Sequence, residues 1–349
     1  MSVFGRGYGE AVCAHVGDGE WVLVDSCLDP TSQAPASLKY LTSVGVPVAQ
    51  AVKLIVVTHW DDDHIRGIAQ IVEECALARV ACSAALGRED VVQFVVSQEA
   101  ATGATGSGLD ELRTILRVCS RRKPGIIWAK ANLPLHPSPP GESPKVVALS
   151  PSEDATERSV TALIEEATRS RRAFPRRYNA PEGPNGASVA TYLRSYGVSL
   201  VLGADLELSN NSETGWDAVL SYSKPPSLAS LVKVPHHGSK GAHHNGFWTD
   251  CVTDQVIAIL TPWSRGAHHL PTDTDLTRLR AVANDVYLTA VPALARVEAS
   301  HDVQRLLRRL HGDKAVSELR GWGQVRARRR NGADSWKVEL EGDAIKVET

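Results

Sequence analysis

The sequence predicts an α/β protein (α+β) that carries its chemistry at the carboxyl edge of a sheet. Two observations predict this. First, short apolar runs rich in β-branched residues alternate with segments of helical periodicity in both halves of the chain. Second, three of these runs end abruptly in residues of the types that bind metal ions. Open α/β folds place their sites at the carboxyl ends of strands, so we expect the three groups to meet.

The composition is that of a water-soluble globular protein. Of the 349 residues, 43% are hydrophobic and 22% are charged. No apolar run approaches the roughly 20 residues that a membrane span needs, and the first residues lack the layout of a signal peptide. The six cysteines are scattered without a CxxC pair, which predicts buried free thiols. We therefore expect a cytoplasmic protein with no membrane partner.

The charge balance gives no overall attraction to nucleic acid, because the net charge is −2. Basic residues nevertheless form three groups, at 169–177, 305–309 and 326–330. A solvated surface is the simpler interpretation of any one group. Together the three groups leave room for an anionic substrate.

The first predicted elements are a hairpin and a helix. Strands at 10–16 and 21–25 flank a Gly-Asp-Gly turn. Asp25 closes the second strand, where a turn cap is an equally good interpretation. A helical pattern occupies 35–46, and the continuous apolar run at 54–57 predicts a buried strand over 53–57.

The six residues 59–64, just beyond that strand, include two His and three Asp. His59, Asp61 and Asp63 can face one side, because alternate residues of an extended segment point the same way. His64 joins them as the chain enters a helix predicted at 65–78. Neighbouring carboxylates repel one another unless a cation compensates them. Imidazole with carboxylate is the ligand set of hydrolytic metal sites, and a solvated acidic loop is the alternative interpretation.

The middle of the chain is weakly patterned. We expect helices at 89–100 and 109–122, then strands at 125–130 and 145–149 around a Pro-rich loop. A further helical stretch within 155–184 leads into the first basic group.

Two more strands end in ligand chemistry. One follows a tight turn and ends in Gly-Ala-Asp205, although an Asp after a strand is often only a helix cap. The other, at 231–234, ends in a Pro-His-His-Gly-Ser block that contains His236 and His237. The later predicted elements are a strand at 256–261, a helix at 273–282, a strand at 286–290, a helix at 301–311 and a hairpin at about 322–347.

These blocks together resemble the metallo-β-lactamase superfamily. The segment 59–64 resembles its metal motif in a His-x-Asp-x-Asp-His form, and the block 233–239 is similar to one in the hydrolase domain of bacterial competence DNA-uptake proteins and their soluble relatives. The resemblance extends from Gly7 to about Trp263.

The resemblance implies a four-layer αβ/βα sandwich, with two mixed sheets face to face and helices outside. The alternation of strands and helices in both halves agrees with this architecture. We expect one domain over 1–349, with insertions at about 86–145 and 153–184 and the hairpin at about 322–347.

The resemblance also implies two divalent metal ions, manganese or zinc. The expected metal ligands are His59, Asp61, Asp63, His64, Asp205 and His236. The expected catalytic residues are Asp63, His237 and His269. Of the two adjacent histidines we favour His236 as the ligand, because it is nearer the strand end. His268 or His269 is a looser candidate for a last ligand or an acid. Asp25 would support the metal-binding loop without being a ligand.

The activity implied is that of a metal-dependent hydrolase, most of all a phosphodiesterase or nuclease in which a metal-bound hydroxide attacks phosphorus. Asp61 stands where the commoner motif has His, which favours manganese over zinc. No His in a ligand context lies between His64 and Asp205, so we expect one ion to be ligand-poor. The alternatives are a carboxylic-ester or thioester hydrolase, a partner-activated defence nuclease encoded beside its protein partner, and a non-catalytic binding module.

Overall fold

The fold contains two large β-sheets that pack face to face. The structure, a computed structural model, describes residues 1–6, 9–89, 91–93, 108–136, 143, 145–170, 184–265, 268–291, 321–330, 333 and 335–348. The numbers of strands and helices below refer to these residues.

The first sheet has eight strands in the described residues. They are β1 (Ser2–Arg6), β2 (Glu10–His15), β3 (Trp21–Val24), β4 (Val52–Val57), β5 (Arg79–Ser83), β6 (Ile127–Ala129), β15 (Trp322–Arg328) and β16 (Lys337–Gly342). Their spatial order is β16–β15–β1–β2–β3–β4–β5–β6. Strands β3 to β6 run parallel and the other pairs are antiparallel, so the sheet is mixed as predicted.

The second sheet has seven strands in the same ranges. They are β7 (Val146–Ala148), β8 (Thr191–Ser195), β9 (Val198–Leu202), β10 (Ala229–Lys233), β11 (Val252–Leu260), β14 (Asp285–Leu288) and β17 (Ile345–Lys346). Their order is β17–β14–β11–β10–β9–β8–β7, with β9, β10, β11 and β14 parallel. A separate hairpin consists of β12 (Trp263–Arg265) and β13 (His268–Leu270).

Nine α-helices are described. They are α1 (Ala36–Ser43), α2 (Val48–Ala51), α3 (Asp62–Ile65), α4 (Ile68–Glu74), α5 (Gly108–Cys119), α6 (Glu153–Ser170), α7 (Gly215–Tyr222), α8 (Asn245–Asp250) and α9 (Asp273–Arg280). Short 3-10 turns lie at Ala84–Leu86, Pro184–Ala187, Pro235–Gly238 and Lys240–Ala242.

Strand β4 shows why the layers form. Its side chains alternate between two apolar clusters, and all of them are buried apart from Lys53. Leu54 and Val56 face the second sheet, whereas Ile55 and Val57 face α1, α4 and α5. A third cluster places α7, α8 and α9 on the outer face of the second sheet. The order helix, sheet, sheet, helix confirms the predicted four-layer sandwich.

The helix predicted at 65–78 is interrupted. Helix α3 ends at Ile65 and α4 begins at Ile68, with Gly67 between them at φ +82°. A Cβ on Gly67 would lie 2.7 Å from Leu28 Cδ2, so both backbone conformation and space require glycine there. The break lets the chain carry the metal motif on its own short turn before the longer helix begins.

Other predictions have mixed outcomes. All six cysteines are free and buried, as predicted. The helix at 301–311, most of the helix at 89–100 and the basic side chains at 169–177 and 305–309 lie outside the described residues. None of the described helices is long and apolar enough to cross a membrane.

The third basic group is largely paired with acid. On β15, Arg326 Nη2 lies 2.7 Å from Glu339 Oε2 and 3.1 Å from Glu341 Oε1. Arg328 also contacts Glu339. The Arg326 side chain is only 21% exposed, so part of this group is less open to an anionic partner than the sequence suggested.

Candidate metal centre

The candidate ligands meet where the carboxyl edges of the two sheets face each other. The segment 59–64 follows β4 in the first sheet. Asp205 follows β9, and the two adjacent histidines follow β10, both in the second sheet. Because these strands run parallel to their neighbours, their carboxyl ends share one edge, as expected for an open α/β site.

Three buried histidines each leave one ring nitrogen without a hydrogen bond from the described residues. His59, His64 and His237 are at most 1% exposed, and no described residue hydrogen-bonds their buried Nε2 atoms or Asp205 Oδ1. His64 Nε2 lies 3.3 Å from Asp205 Oδ1, and His237 Nε2 lies 3.4 Å from Asp63 Oδ2 and 3.6 Å from Asp205 Oδ2. Buried polar atoms without partners destabilise a fold, and bound cations would satisfy atoms of these types.

The other ring nitrogens on the first sheet are held by the chain. His64 Nδ1 lies 2.7 Å from Asp25 Oδ2. Asp25 also accepts hydrogen bonds from the Thr58 amide at 2.8 Å and the Thr58 hydroxyl at 2.7 Å. Since that hydroxyl donates to Asp25, it accepts from His59 Nδ1–H at 2.9 Å. Both imidazoles are thereby set with the Nδ1 proton outward and the Nε2 lone pair inward, the arrangement of metal-bound histidine.

Asp25 orients neighbouring side chains and is a weaker candidate for a metal ligand than Asp63. Asp25, His59 and His64 form one of two geometric groups in the described part of the chain that could hold an ion. Both Asp25 carboxylate oxygens already accept the hydrogen bonds from Thr58 and His64, however. The second group, Asp63, His64 and His237, has its two imidazole Nε2 atoms directed inward and fits a cation better.

The turn after β10 separates the two adjacent histidines. His236 has φ +44°, His237 has φ +52° and Gly238 has φ +83°, so three residues in succession are left-handed. Such conformations are rare for non-glycine residues and cluster at functional sites. The turn directs His237 into the ligand group and His236 toward Glu207, with His236 Nδ1 2.8 Å from Glu207 Oε1. The sequence favoured His236 as the ligand, whereas the group that could hold an ion contains His237 and not His236.

The charges of the cluster are strongly coupled. Burial would raise the pKa of Asp63, but the neighbouring His237 and the charge of His64 lower it to about 2. Burial, reinforced by the Asp63 charge, raises the pKa of Asp61 to about 7. Burial, with the His64 charge, lowers the pKa of His59 to about 4. Against burial, Asp205 and Asp25 hold the pKa of His64 well above its ordinary value.

Asp61, His268 and His269 were also predicted as site residues, and they lie outside the two groups that could hold an ion. Asp61 precedes α3 and is half-buried, and its backbone carbonyl accepts hydrogen bonds from the amides of His64 and Ile65. His268 and His269 lie on β13 and belong to neither ligand group among the described residues. Trp263 of the same hairpin stacks on the His237 ring at a centroid distance of 6.4 Å.

Several functional contacts could not be predicted from the sequence. Ser188 Oγ lies 3.1 Å from His59 Nδ1, and Asn185 Nδ2 donates to Glu207 Oε1 at 2.7 Å. Thr261 lies beside His237 Nδ1, with its carbonyl oxygen at 3.0 Å. Among the supporting residues that were not predicted, Thr58 is the one that the sequence could have indicated, because it directly precedes His59 at the end of a predicted strand.

Comparison with protein families agrees with this geometry. Residues 11–88 match the family model described as the metallo-beta-lactamase superfamily. This segment of the chain is therefore similar to the metallo-β-lactamase superfamily. The matched segment contains Asp25 and the whole of the metal motif, so the family model covers the first-sheet half of the centre. No curated protein matches the chain.

Solved metallo-β-lactamase structures are similar at low identity. The Rm3 metallo-beta-lactamase is 13% identical over 68% of this chain and 79% of its own, with a TM-score of 0.34. A Cronobacter sakazakii (Enterobacter sakazakii) metallo-beta-lactamase with a HARLDQ motif is 14% identical over 60% of each chain, with a TM-score of 0.31. The hydrolase AbOPH of the beta lactamase superfamily is 16% identical over 58% of each chain, with a TM-score of 0.30. At these values the likeness carries no functional conclusion.

Proposed function

We propose that this chain is a metal-dependent hydrolase of phosphodiester bonds that works with two divalent cations, manganese or zinc. The observation that supports it is the set of inward Nε2 atoms of His59, His64 and His237, which are buried without hydrogen bonds to any described residue, beside Asp63 and Asp205. Bound cations would satisfy this set.

The ligands divide between the two ions as follows. Asp63, His64 and His237 would hold one ion, and His59 with Asp61 would hold the other. Asp205 lies near both His64 and His237, so it would join the ligands of the first ion, and the family resemblance alone suggests that it would also reach the second. Bound cations in such a centre polarise the substrate and lower the pKa of water. The set is rich in carboxylates, which favours a hard ion such as manganese.

The chain itself supplies substrate contacts beside the ions. His236 is held by Glu207 and remains 24% exposed, so its other ring nitrogen can meet a substrate oxygen. A cavity of about 680 Å³ begins at Glu207 and continues past Asn210, Asn211 and His243. Amide and imidazole groups in its lining can hydrogen-bond the part of the substrate that leaves or remains bound.

The experiment that tests this function is a metal and substrate panel. Protein purified without chelator is assayed for metal content, stripped, and reloaded with manganese or zinc. Turnover is then measured on a chromogenic phosphodiester, a carboxylic ester, a thioester and a β-lactam. We expect stoichiometric metal and phosphodiester turnover that disappears on stripping and returns on reloading. Turnover confined to the ester or thioester would transfer the assignment to a carboxylic hydrolase, and an absence of bound metal would overturn it.

A second candidate is a nuclease that a protein partner activates. It rests on the basic group at 169–177, which precedes Asn185 in sequence and whose side chains lie outside the described residues. Replacing its arginines with alanine should reduce nucleic-acid binding and lower the log–log salt slope by about 0.7–0.9 for each phosphate that is no longer neutralised. Turnover of a small phosphodiester should be unchanged. Equal decreases on both substrates would assign the group a structural role.

A further inference from the structure

We propose that a buried ion pair joining the two sheets, Glu10 with Lys233, is a positioning device for the metal centre. It acts through Thr261 to fix the proton of His237 on Nδ1, which leaves the Nε2 lone pair free for a cation. This inference rests on the proposed metal site, but not on which bond is hydrolysed.

The pair lies between the sheets at the ligand edge. Glu10 begins β2 of the first sheet and Lys233 ends β10 of the second, and both side chains are at most 2% exposed. Lys233 Nζ lies 2.5 Å from Glu10 Oε1. Removing two charges from water is costly, and apolar residues of similar volume often replace a buried pair without a decrease in stability. A role beyond stability is therefore the more informative hypothesis.

The donor and the acceptor can be assigned for each hydrogen bond that links Glu10, Thr261 and His237. A carboxylate accepts, so the Thr261 hydroxyl must donate its single proton to Glu10 Oε2. The lone pairs of the same hydroxyl then face His237 Nδ1, which is 3.2 Å away. The Thr261 carbonyl oxygen, at 3.0 Å from that nitrogen, can also only accept. His237 Nδ1 must therefore carry the proton, and Nε2 is left as the free ligand atom.

Lys233 extends the same support to a second ligand. Its ammonium donates to the carbonyl oxygen of Ala204 at 3.3 Å, directly before Asp205. The His236 amide donates to that carbonyl at 2.9 Å. Ala204 has φ +46°, and a Cβ on Gly203 would lie 2.8 Å from Pro235 Cβ, so the two ligand-bearing turns are in close contact. One buried cation thus helps to fix both turns of the second sheet.

The central test is a pair of substitutions at Thr261. Thr261→Val keeps the shape and the carbonyl but removes the hydroxyl, whereas Thr261→Ser retains it. Thr191→Val is the matched control, because Thr191 is fully buried on β8 and its hydroxyl has no hydrogen-bond partner among the described residues. Metal affinity is measured by titration of stripped protein with manganese and with zinc, and the His237 tautomer by nitrogen NMR of the stripped protein. Urea unfolding gives the stability of each variant.

We expect Thr261→Val to lower the affinity for one of the two ions by about 10–100-fold, which is the usual effect of removing a group that orients a metal ligand. Its His237 should also show a larger Nε2–H fraction. Thr261→Ser and Thr191→Val should resemble the natural protein in both readouts. Unchanged affinity and tautomer in Thr261→Val would overturn the proposal, as would an equal weakening of both ions in proportion to a decrease in stability.

A second variant tests the ion pair itself. Glu10→Gln combined with Lys233→Met removes both charges together, so neither is left buried alone. It should lower the affinity for the same ion. Adding Thr261→Val should lower that affinity little further, because the ion pair acts on His237 through Thr261. Additive effects would contradict the series. If the variant does not fold, the Thr261 pair still decides the outcome. Metal binding and tautomer need no turnover, so a failed substrate panel would not be mistaken for failure here.

Discussion

The two sheet edges that form the metal centre use the same chemistry in different ways. At the first edge, Asp25 accepts from Thr58, and Thr58 accepts from His59. At the second edge, Glu10 accepts from Thr261, and Thr261 accepts from His237. The order carboxylate, threonine, histidine is shared. The two series differ in where their members come from.

The first series is local. Thr58 and His59 are consecutive, and Asp25 follows β3, which pairs with β4 in register. One carboxylate also serves two imidazoles, since Asp25 contacts His64 as well. The second series is dispersed, because Glu10 belongs to the opposite sheet and Thr261 follows a neighbouring strand. The first edge thus depends on the pairing within one sheet, whereas the second forms only when the two sheets pack.

The largest expected effect is the removal of a ligand at either edge. Asp63→Ala and His64→Ala should abolish hydrolysis and reduce metal content while the protein stays folded, because both side chains lie at the sheet edge and not within the apolar clusters. Metal analysis, turnover and circular dichroism measure this. His15→Ala, an exposed histidine at the opposite end of β2, is the control. Near-normal turnover with unchanged metal content in either variant would remove the assignment.

The adjacent histidines at the second edge should separate metal binding from turnover. His237→Ala should release one ion, because its Nε2 lies within reach of Asp63 and Asp205. His236→Ala should keep the metal and show reduced turnover, since His236 contacts Glu207 on the substrate side. The experiment requires metal stoichiometry beside kcat and KM. The reverse pattern would restore His236 as the ligand.

The support at the first edge should affect both ions. Asp25→Asn keeps the volume but presents an amide to His64 Nδ1, so we expect metal affinity to fall by about 10–100-fold. Asp25 contacts His64 directly and orients His59 through Thr58, so the affinity for both ions should decrease. Thr261→Val should decrease the affinity for only one ion. Metal titration of the two variants side by side measures the difference, and identical titrations would mean that the two edges are supported in the same way.

The choice of metal should respond to Asp61. Asp61→His replaces an oxygen ligand with nitrogen and should move the optimum from manganese toward zinc. The measurement is turnover across a series of both metals for the two proteins. Identical profiles would show that ligand hardness at this position does not set the preference.

The smallest expected effect concerns the pH dependence of stability, through His243, which lies outside the two ligand-bearing sheet edges. Burial, with the charges of Arg278 and His244, lowers the pKa of His243 to about 4 from the ordinary 6.5, and Asp275 opposes the shift. A pKa that is lower in the folded state means that the unfolded chain binds the proton first as the pH falls. Stability should therefore decline as the pH falls from 6.5 to about 4, and His243→Gln should flatten that slope in urea unfolding.

The sequence predicted the local parts of this molecule better than the dispersed ones. The motif at 59–64 could be found because an apolar strand ended in ligand residues within one short segment. The fold followed from alternating strands and helices, as the three apolar clusters confirm. The break at Gly67 was missed because Ile65, Ile68 and Ile71 keep a helical spacing across it.

The dispersed parts depend on information that a linear pattern does not contain. Glu10 and Lys233 meet only through the packing of opposite sheets. The roles of His236 and His237 depend on a run of left-handed backbone angles, which Pro-His-His-Gly permits but does not specify. Distance from the strand end was a reasonable guide, but the turn overrides it. Glu207 had no signal at all, since a Glu shortly after a strand usually faces solvent.

The outward protein contacts of the three imidazoles affect how the protein acquires its ions. If the centre binds cations as proposed, chain atoms would already orient His59, His64 and His237, so the chain could fold first and load metal afterwards, unlike small domains that need the ion in order to fold. Such a preformed centre would take the ion that is abundant where it is loaded, following the general affinity order of divalent metals. The bound metal would then depend on the supply of ions in the surroundings as well as on the geometry of the ligands.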